Sequence, residues 1–257
     1  VRTPDLFSLD GRVAIVTGGG RGIGRQMAWG LAEMGAAVVL CGRDLETVES
    51  AAGELRAAGA RAAAYRCDVR SETDVEAVVQ HAVAEFGRLD VLVNNAGTVW
   101  AGAPEDVPLE GWQKVLDVNL TGVFLFCRAA GRVMIERKGG RIVNIASLAA
   151  FKGAPPEIMN TISYQTTKGA VVSFTRDLAC KWAHHGINVN AIAPGWFPTD
   201  MTEVLLSRHR ETLESRVPLG RLGGADDLKG AVVYLASAAS AWVTGQTLIV
   251  DGGEGAW

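Results

Sequence analysis

The sequence predicts a doubly wound α/β fold, an open parallel sheet of about seven strands with helices on both faces. Three observations predict it. Short runs that are apolar at nearly every position recur along the chain, as strands buried on both faces require. Stretches of helical length and period separate them, long enough for crossovers between parallel strands. Glycines stand just past four of those stretches, where a left-handed C-terminal cap suits that residue.

In chain order, strands are read in RVAIVT (12–17), AVVLCG (37–42), RAAAYRC (61–67), VLVN (91–94), RIVNIA (141–146), INVNAIA (187–193) and QTLIV (246–250). Helices are read over 23–34, 44–58, 73–86, 112–137, 164–184 and 226–237, and the four capping glycines are Gly35, Gly59, Gly87 and Gly186. No Pro/Gly/Ser linker or charge run divides the chain. One dinucleotide-binding and catalytic domain is therefore expected over 1–257, with 194–224 as a lid carrying a helix of its own.

Composition narrows the function. A net charge of -3 and no long Lys/Arg run give no electrostatic case for nucleic acid or an anionic membrane. The N-terminal VRTPDLFSLDGR lacks a signal-peptide core, and no run reaches the roughly 18 apolar residues that cross a bilayer, so a soluble cytoplasmic protein is expected. Cys41, Cys67, Cys127 and Cys180 are widely spaced among apolar residues and are expected as buried, reduced thiols. His184 and His185 are adjacent, which suits the end of a helix and not a metal pair; no metal site is expected.

The first strand runs into TGGGRGIG (17–24), which opens a helix. Gly18, Gly22 and Gly24 would let the backbone approach a pyrophosphate, and the helix beginning near Ile23 would offer free N–H groups. This strand–turn–helix context is that of a Rossmann-type nucleotide site. Where an acidic residue would hold the ribose 2′-OH of NAD stands Gly42, followed by Arg43. A guanidinium binds a 2′-phosphate by paired hydrogen bonds, with Arg21 as a second cation, so NADP(H) is expected ahead of NAD(H). Asp44 is a counter-signal, equally read as a helix N-cap.

Tyr164 and Lys168 lie four apart and hence on one helix face. Ser147 follows a strand's carboxyl end. Asn119 falls inside the predicted helix over 112–137.

With TGGGRGIG (17–24), CDV (67–69), NNAG (94–97), DVNLTG (117–122), Ser147, YQTTK (164–168), PGWFPT (194–199) and VTGQTLIVDGG (243–253), the chain resembles the short-chain dehydrogenase/reductase family over about residues 8 to 253. The resemblance implies that Tyr164 is the general acid in ketone reduction and the general base in alcohol oxidation. Ser147 would hold the substrate oxygen. Lys168 would favour the phenolate and bind the nicotinamide ribose, and Asn119 would support a water relay to it. Asp68 and Val69 would border the adenine, and Asn95, Ala96 and Gly97 its ribose. Pro194, Gly195 and Thr199 would face the nicotinamide, and Asn94 would link strands. A homotetramer is implied as well.

The C-terminal half is similar to gluconate 5-dehydrogenase-like members, with 3-oxoacyl thioester reductases the next candidates. The loop after NNAG, TVWAGAPEDVP, carries no cation for a sugar-acid carboxylate; Lys152, Arg208 and Arg210 are the candidate substitutes. Trp100, Phe151, Met159, Trp196 and Phe197 suggest an apolar, aromatic-edged pocket. A bulkier or less charged ketone/alcohol pair is therefore expected over gluconate. Pro155 and Pro156 would stiffen the segment before Tyr164 into a wall of that pocket. Two other classes fit less well. A non-catalytic NADP sensor needs no proton donor, and a Rossmann-like methyltransferase accounts for neither YxxxK nor Arg43.

Overall fold

A computed structural model describes residues 1–256. The sheet is parallel throughout, in the order β3-β2-β1-β4-β5-β6-β7. Its strands are Val13–Thr17 (β1), Ala37–Gly42 (β2), Ala62–Arg66 (β3), Val91–Asn94 (β4), Gly140–Ile145 (β5), Ile187–Pro194 (β6) and Thr247–Val250 (β7). The helices are Thr3–Leu6 (α1), Gly22–Glu33 (α2), Leu45–Ala57 (α3), Glu72–Phe86 (α4), Leu109–Leu116 (α5), Gly122–Glu136 (α6), Ile162–Trp182 (α7), Glu203–Glu214 (α8) and Lys229–Ala236 (α9). All seven strands and six helices expected from the sequence are present. Gly35, Gly59, Gly87 and Gly186 all take positive φ.

Alternation along each strand builds the two faces. Ile15, Val39 and Cys41 point into one core with residues of α4, α6 and α7, such as Val78, Phe126 and Val171. Ala14, Val16, Val38 and Leu40 point into the other, with Met27, Val48 and Val232 of α2, α3 and α9. Strand order reverses between β1 and β4, so the loops after these two strands diverge and leave a crevice at their carboxyl ends.

Three departures from the sequence reading are local. The helix expected over 112–137 is interrupted by a π-helical turn at Asp117–Thr121 between α5 and α6. The run Leu109–Glu136 is long and apolar enough to cross a membrane, but it is more than half buried inside the fold, which accounts for its composition. Cys41, Cys67 and Cys127 are buried as expected; Cys180 is exposed, because α7 turns that position outward. His184 and His185 sit in a 3-10 turn at the end of α7.

Chain 194–224 carries α8, and Leu206 and Leu213 pack there with Ile158, Leu222, Met159 and Trp196 as a third apolar cluster. The segment after β5 is thus fastened to chain 194–224.

Candidate active site

The cleft begins where β1 ends. Gly18 and Gly22 hold φ of 63° and 52°, the left-handed region that favours glycine. A Cβ at Gly24 would come within 2.3 Å of Asn95 Nδ2 and 2.4 Å of the Gly18 carbonyl, so no side chain fits there. Helix α2 starts at Gly22, and Arg21 gives it no side-chain cap. Its first N–H groups are left for a ligand, and anionic phosphate suits them. A side-chain-free cradle at an uncapped helix N-terminus fits a dinucleotide pyrophosphate.

Thr17 holds the two halves of the crevice together. Its buried Oγ1 accepts from the N–H groups of Asn95 and Ala96, both at 2.9 Å. Asn95 Nδ2 donates in return to the carbonyls of Thr17 and Gly18, at 2.8 and 3.1 Å. Asn94 donates to Asn144 Oδ1 on the neighbouring strand at 2.9 Å, and Asn144 donates to Thr175 Oγ1 of α7 at 3.0 Å. This buried chain fixes α7, and hence Tyr164, against β4 and β5. Asn94 is the strand link expected of it.

At the β2 end, the carboxylate of Asp44 accepts from the N–H groups of Glu46 and Thr47 and caps α3. These bonds, the Thr47 hydroxyl first, hold its acid below the usual range. The carboxylate is therefore engaged by its own helix, and the counter-signal at Asp44 reduces to the N-cap. Asp68 is held low by the Arg70 guanidinium, which binds both its oxygens. Arg21 reaches across to Asp200, after β6, at 2.8 Å. Arg43 makes no ion pair among the described residues and faces the cleft.

At the other end, Ser147 closes β5. Its Oγ accepts from Ala149 N at 3.1 Å, which leaves its proton free, and it stands close enough to the Tyr164 hydroxyl to favour the phenolate. Burial raises the Tyr164 pKa above its ordinary value, against the opposing effect of Ser147. Lys168, one turn on, is 5% exposed and donates to the Ile145 carbonyl at 2.7 Å. Its Nζ lies 5.5 Å from the Tyr164 ring centroid. Burial pulls its pKa down to about 8.

Gly18, Arg21, Gly22, Ile23, Gly24, Arg43, Asp68, Val69, Asn95, Ala96, Gly97, Ser147, Tyr164, Lys168, Pro194, Gly195 and Thr199 all line one cleft of about 520 Å³. Asn119 does not. It is fully buried beneath the post-β4 loop, where Oδ1 accepts from Thr98 N at 2.8 Å and Nδ2 donates to the Thr98 carbonyl at 2.9 Å and Thr167 Oγ1 at 3.2 Å. Its amide thereby ties the π-helical turn to the post-β4 loop and to α7.

The apolar pocket expected from the sequence does not form as such. Of its five residues only Phe197 lines the cleft. Met159 and Trp196 pack in the lid cluster, Phe151 is exposed, and Trp100 lies flat on Gly111, where a Cβ would come within 2.6 Å of its ring. Nor do the expected cations line the cleft: Lys152 pairs with buried Glu254 at 2.5 Å, Arg210 with Glu214 at 2.9 Å, and Arg208 is exposed on α8. Sequence reasoning missed Thr17, Arg70 and Lys114: Thr17 and Lys114 are positioned by neighbours from other elements, and Arg70 by Asp68, two residues before it.

A family model described as Enoyl-(Acyl carrier protein) reductase matches residues 18–254. The gluconate 5-dehydrogenase of Gluconobacter oxydans (strain 621H) is 42% identical over 255 residues, covering 97% of each chain. The 2-dehydro-3-deoxy-D-gluconate 5-dehydrogenase of Pseudoalteromonas atlantica is 40% identical over 258 residues, covering 97% of this chain and 98% of that one. Among solved structures, a gluconate 5-dehydrogenase from Burkholderia cenocepacia J2315 in complex with NADP and tartrate superposes with a TM-score of 0.94. It is 40% identical and covers 100% of both chains.

Proposed function

Because the chain belongs to the short-chain dehydrogenase/reductase family, an oxidoreductase family acting on CH–OH groups, we propose that it interconverts a ketone and a secondary alcohol with NADP(H), using Tyr164 as proton donor and acceptor. The observation that carries this is the convergence of Tyr164, Ser147 and buried Lys168 in the cleft that opens on the glycine cradle. When bound, the cofactor supplies or accepts the hydride.

In reduction, the Ser147 hydroxyl holds the substrate oxygen and the Tyr164 phenol donates its proton to it as the carbonyl becomes an alkoxide. Burial raises the pKa of that phenol, so it stands protonated at neutrality as a proton donor must. In oxidation the same oxygen must lose its proton first. Lys168, charged below a pH of about 8, then favours the phenolate. The α2 N-terminus and glycine loop hold the pyrophosphate, Arg43 the 2′-phosphate, and Lys168 the nicotinamide ribose. Asp68 and Val69 border the adenine, Asn95, Ala96 and Gly97 its ribose, and Pro194, Gly195 and Thr199 the nicotinamide.

One catalytic domain with a lid over 194–224, working in the cytoplasm as a homotetramer, completes the reading. Leu248 and Ile249, exposed on edge strand β7, and Phe124, exposed on α6, support the assembly.

The test follows loss of NADPH absorbance over a panel of ketones. Tyr164→Phe should lower turnover about 10²–10⁴-fold, the usual size of a lost general acid, with NADPH affinity retained. Full turnover in Tyr164→Phe would remove the assignment. NADP binding by the wild type with no turnover on any ketone would favour a sensor.

A further inference from the structure

We propose that Lys114 is the anion-binding residue of the substrate site and selects a polyhydroxy or keto acid over its neutral counterpart; this rests on the oxidoreductase reading above. The loop after β4 contains no cation, yet the fold brings one to it from α5. Lys114 lines the same cleft as Ser147, Tyr164 and Lys168. Its Nζ stands 5.6 Å from the Trp100 ring centroid, in cation–π contact. Trp100 can lie there because Gly111, one turn before Lys114, has no Cβ to meet the ring. Gly111, Trp100 and Lys114 therefore form one built unit.

The other cations near the cleft are accounted for. Arg21 is paired with Asp200, Arg70 with Asp68 and Lys152 with Glu254, while Lys168 is bound to the Ile145 carbonyl. Among the described cationic residues that line the cleft, only Arg43 and Lys114 have no ion pair or hydrogen bond. Arg43 follows β2, at the end where a 2′-phosphate is expected. Lys114 belongs to the other half: α5 packs against α7, the helix of Tyr164 and Lys168. The acids nearest to it in sequence, Glu110 and Asp117, form no ion pair with it, and Asp117 accepts instead from Gln113 Nε2 at 2.7 Å.

The post-β4 loop links the two sites. It passes from Gly97, where a Cβ would be 3.9 Å from Lys168 Nζ, through Val99 on the cleft wall to Trp100. Val99 and Lys114 line the same cleft as Ser147 and Tyr164, so the loop and the ammonium face the space in which the substrate reacts. Gly102 N donates to the Asn160 carbonyl at 2.9 Å and ties this loop to the segment before Tyr164.

The experiment is calorimetric titration of D-gluconate and of D-glucitol, the polyol lacking the carboxylate, into NADP⁺-loaded protein. The wild type should bind gluconate at least about tenfold more tightly than glucitol, the worth of one charge-assisted contact. Lys114→Met should remove that preference, and Lys114→Arg should retain most of it. NADP⁺ affinity should be the same in all three. Equal binding of the two polyols by the wild type, binding of neither, or an unaltered preference in Lys114→Met overturns the proposal. So does loss of NADP⁺ affinity in Lys114→Met, which would assign the ammonium to the cofactor. Gluconate held through Lys114 by a protein that oxidises no alcohol would leave the anion site standing and the oxidoreductase reading refuted.

Discussion

Lys168 is a buried charge without a carboxylate partner, and replacing it by methionine should raise stability while destroying activity. Burial lowers its pKa from 10.5 to about 8. At about 1.36 kcal/mol per pKa unit, that gap is about 3 kcal/mol charged against the folded state near neutrality. Methionine keeps the length of the arm and removes this cost. It also removes the bond to the Ile145 carbonyl, which offsets about 1–2 kcal/mol. Lys168→Met should therefore be about 1–2 kcal/mol more stable than the wild type near neutrality. The advantage should also depend on pH. Between about 8 and 10.5 the unfolded chain holds more protons at this site than the folded one, so wild-type stability climbs with pH and the methionine form does not follow. The difference should shrink above about pH 8 and change sign near the middle of that window, at about pH 9. Urea denaturation of both proteins at several pH values on either side of 8 measures it, with titrations elsewhere cancelling in the comparison. A methionine variant clearly less stable near neutrality, or a difference that ignores pH, would refute the reasoning.

Two other perturbations test the frame of the site. Arg43→Ala should raise KM for NADPH about 10–100-fold, the loss of one or two charge-assisted bonds, and leave NADH kinetics unchanged; parallel losses with both cofactors would place Arg43 away from the 2′-phosphate. Thr17→Val leaves the N–H groups of Asn95 and Ala96 without their acceptor and should cost about 2–4 kcal/mol by urea denaturation. Thr17→Ser, which keeps the oxygen, should cost about 1 kcal/mol for its lost methyl. Equal losses in the two variants would show that packing, and not the hydrogen bonds, fixes the crevice.

The segment between Ser147 and Tyr164 shows where a sequence reading stops. Its ends were legible: Ser147 follows a run of strand period, Tyr164 and Lys168 share a helical spacing, and both periods are local properties of the chain. Its middle was not. Met159 and Ile158 are apolar residues after a proline pair, and nothing in their spacing says whether they face a substrate or the lid; contact with Leu206 and Leu213 of α8 decides that. The π turn that carries Asn119 was hidden for a related reason, since DVNLTG reads as continuous helix and only the fit of the buried amide to Thr98 marks the position.

The sequence by itself determined the fold class, the glycine cradle, the missing carboxylate at Gly42 and the Tyr164–Lys168 pair. Each depends on residue type and short-range spacing, which backbone geometry converts directly into structure. Tertiary structure alone decided that Asp44 is taken up as a cap, that Lys152 is neutralised by Glu254 from 102 residues away, and that Lys114 reaches the cleft over Trp100. The reason is that the availability of a charge is set by which partners the fold brings within a few ångströms, and those partners come from elements the local sequence does not name.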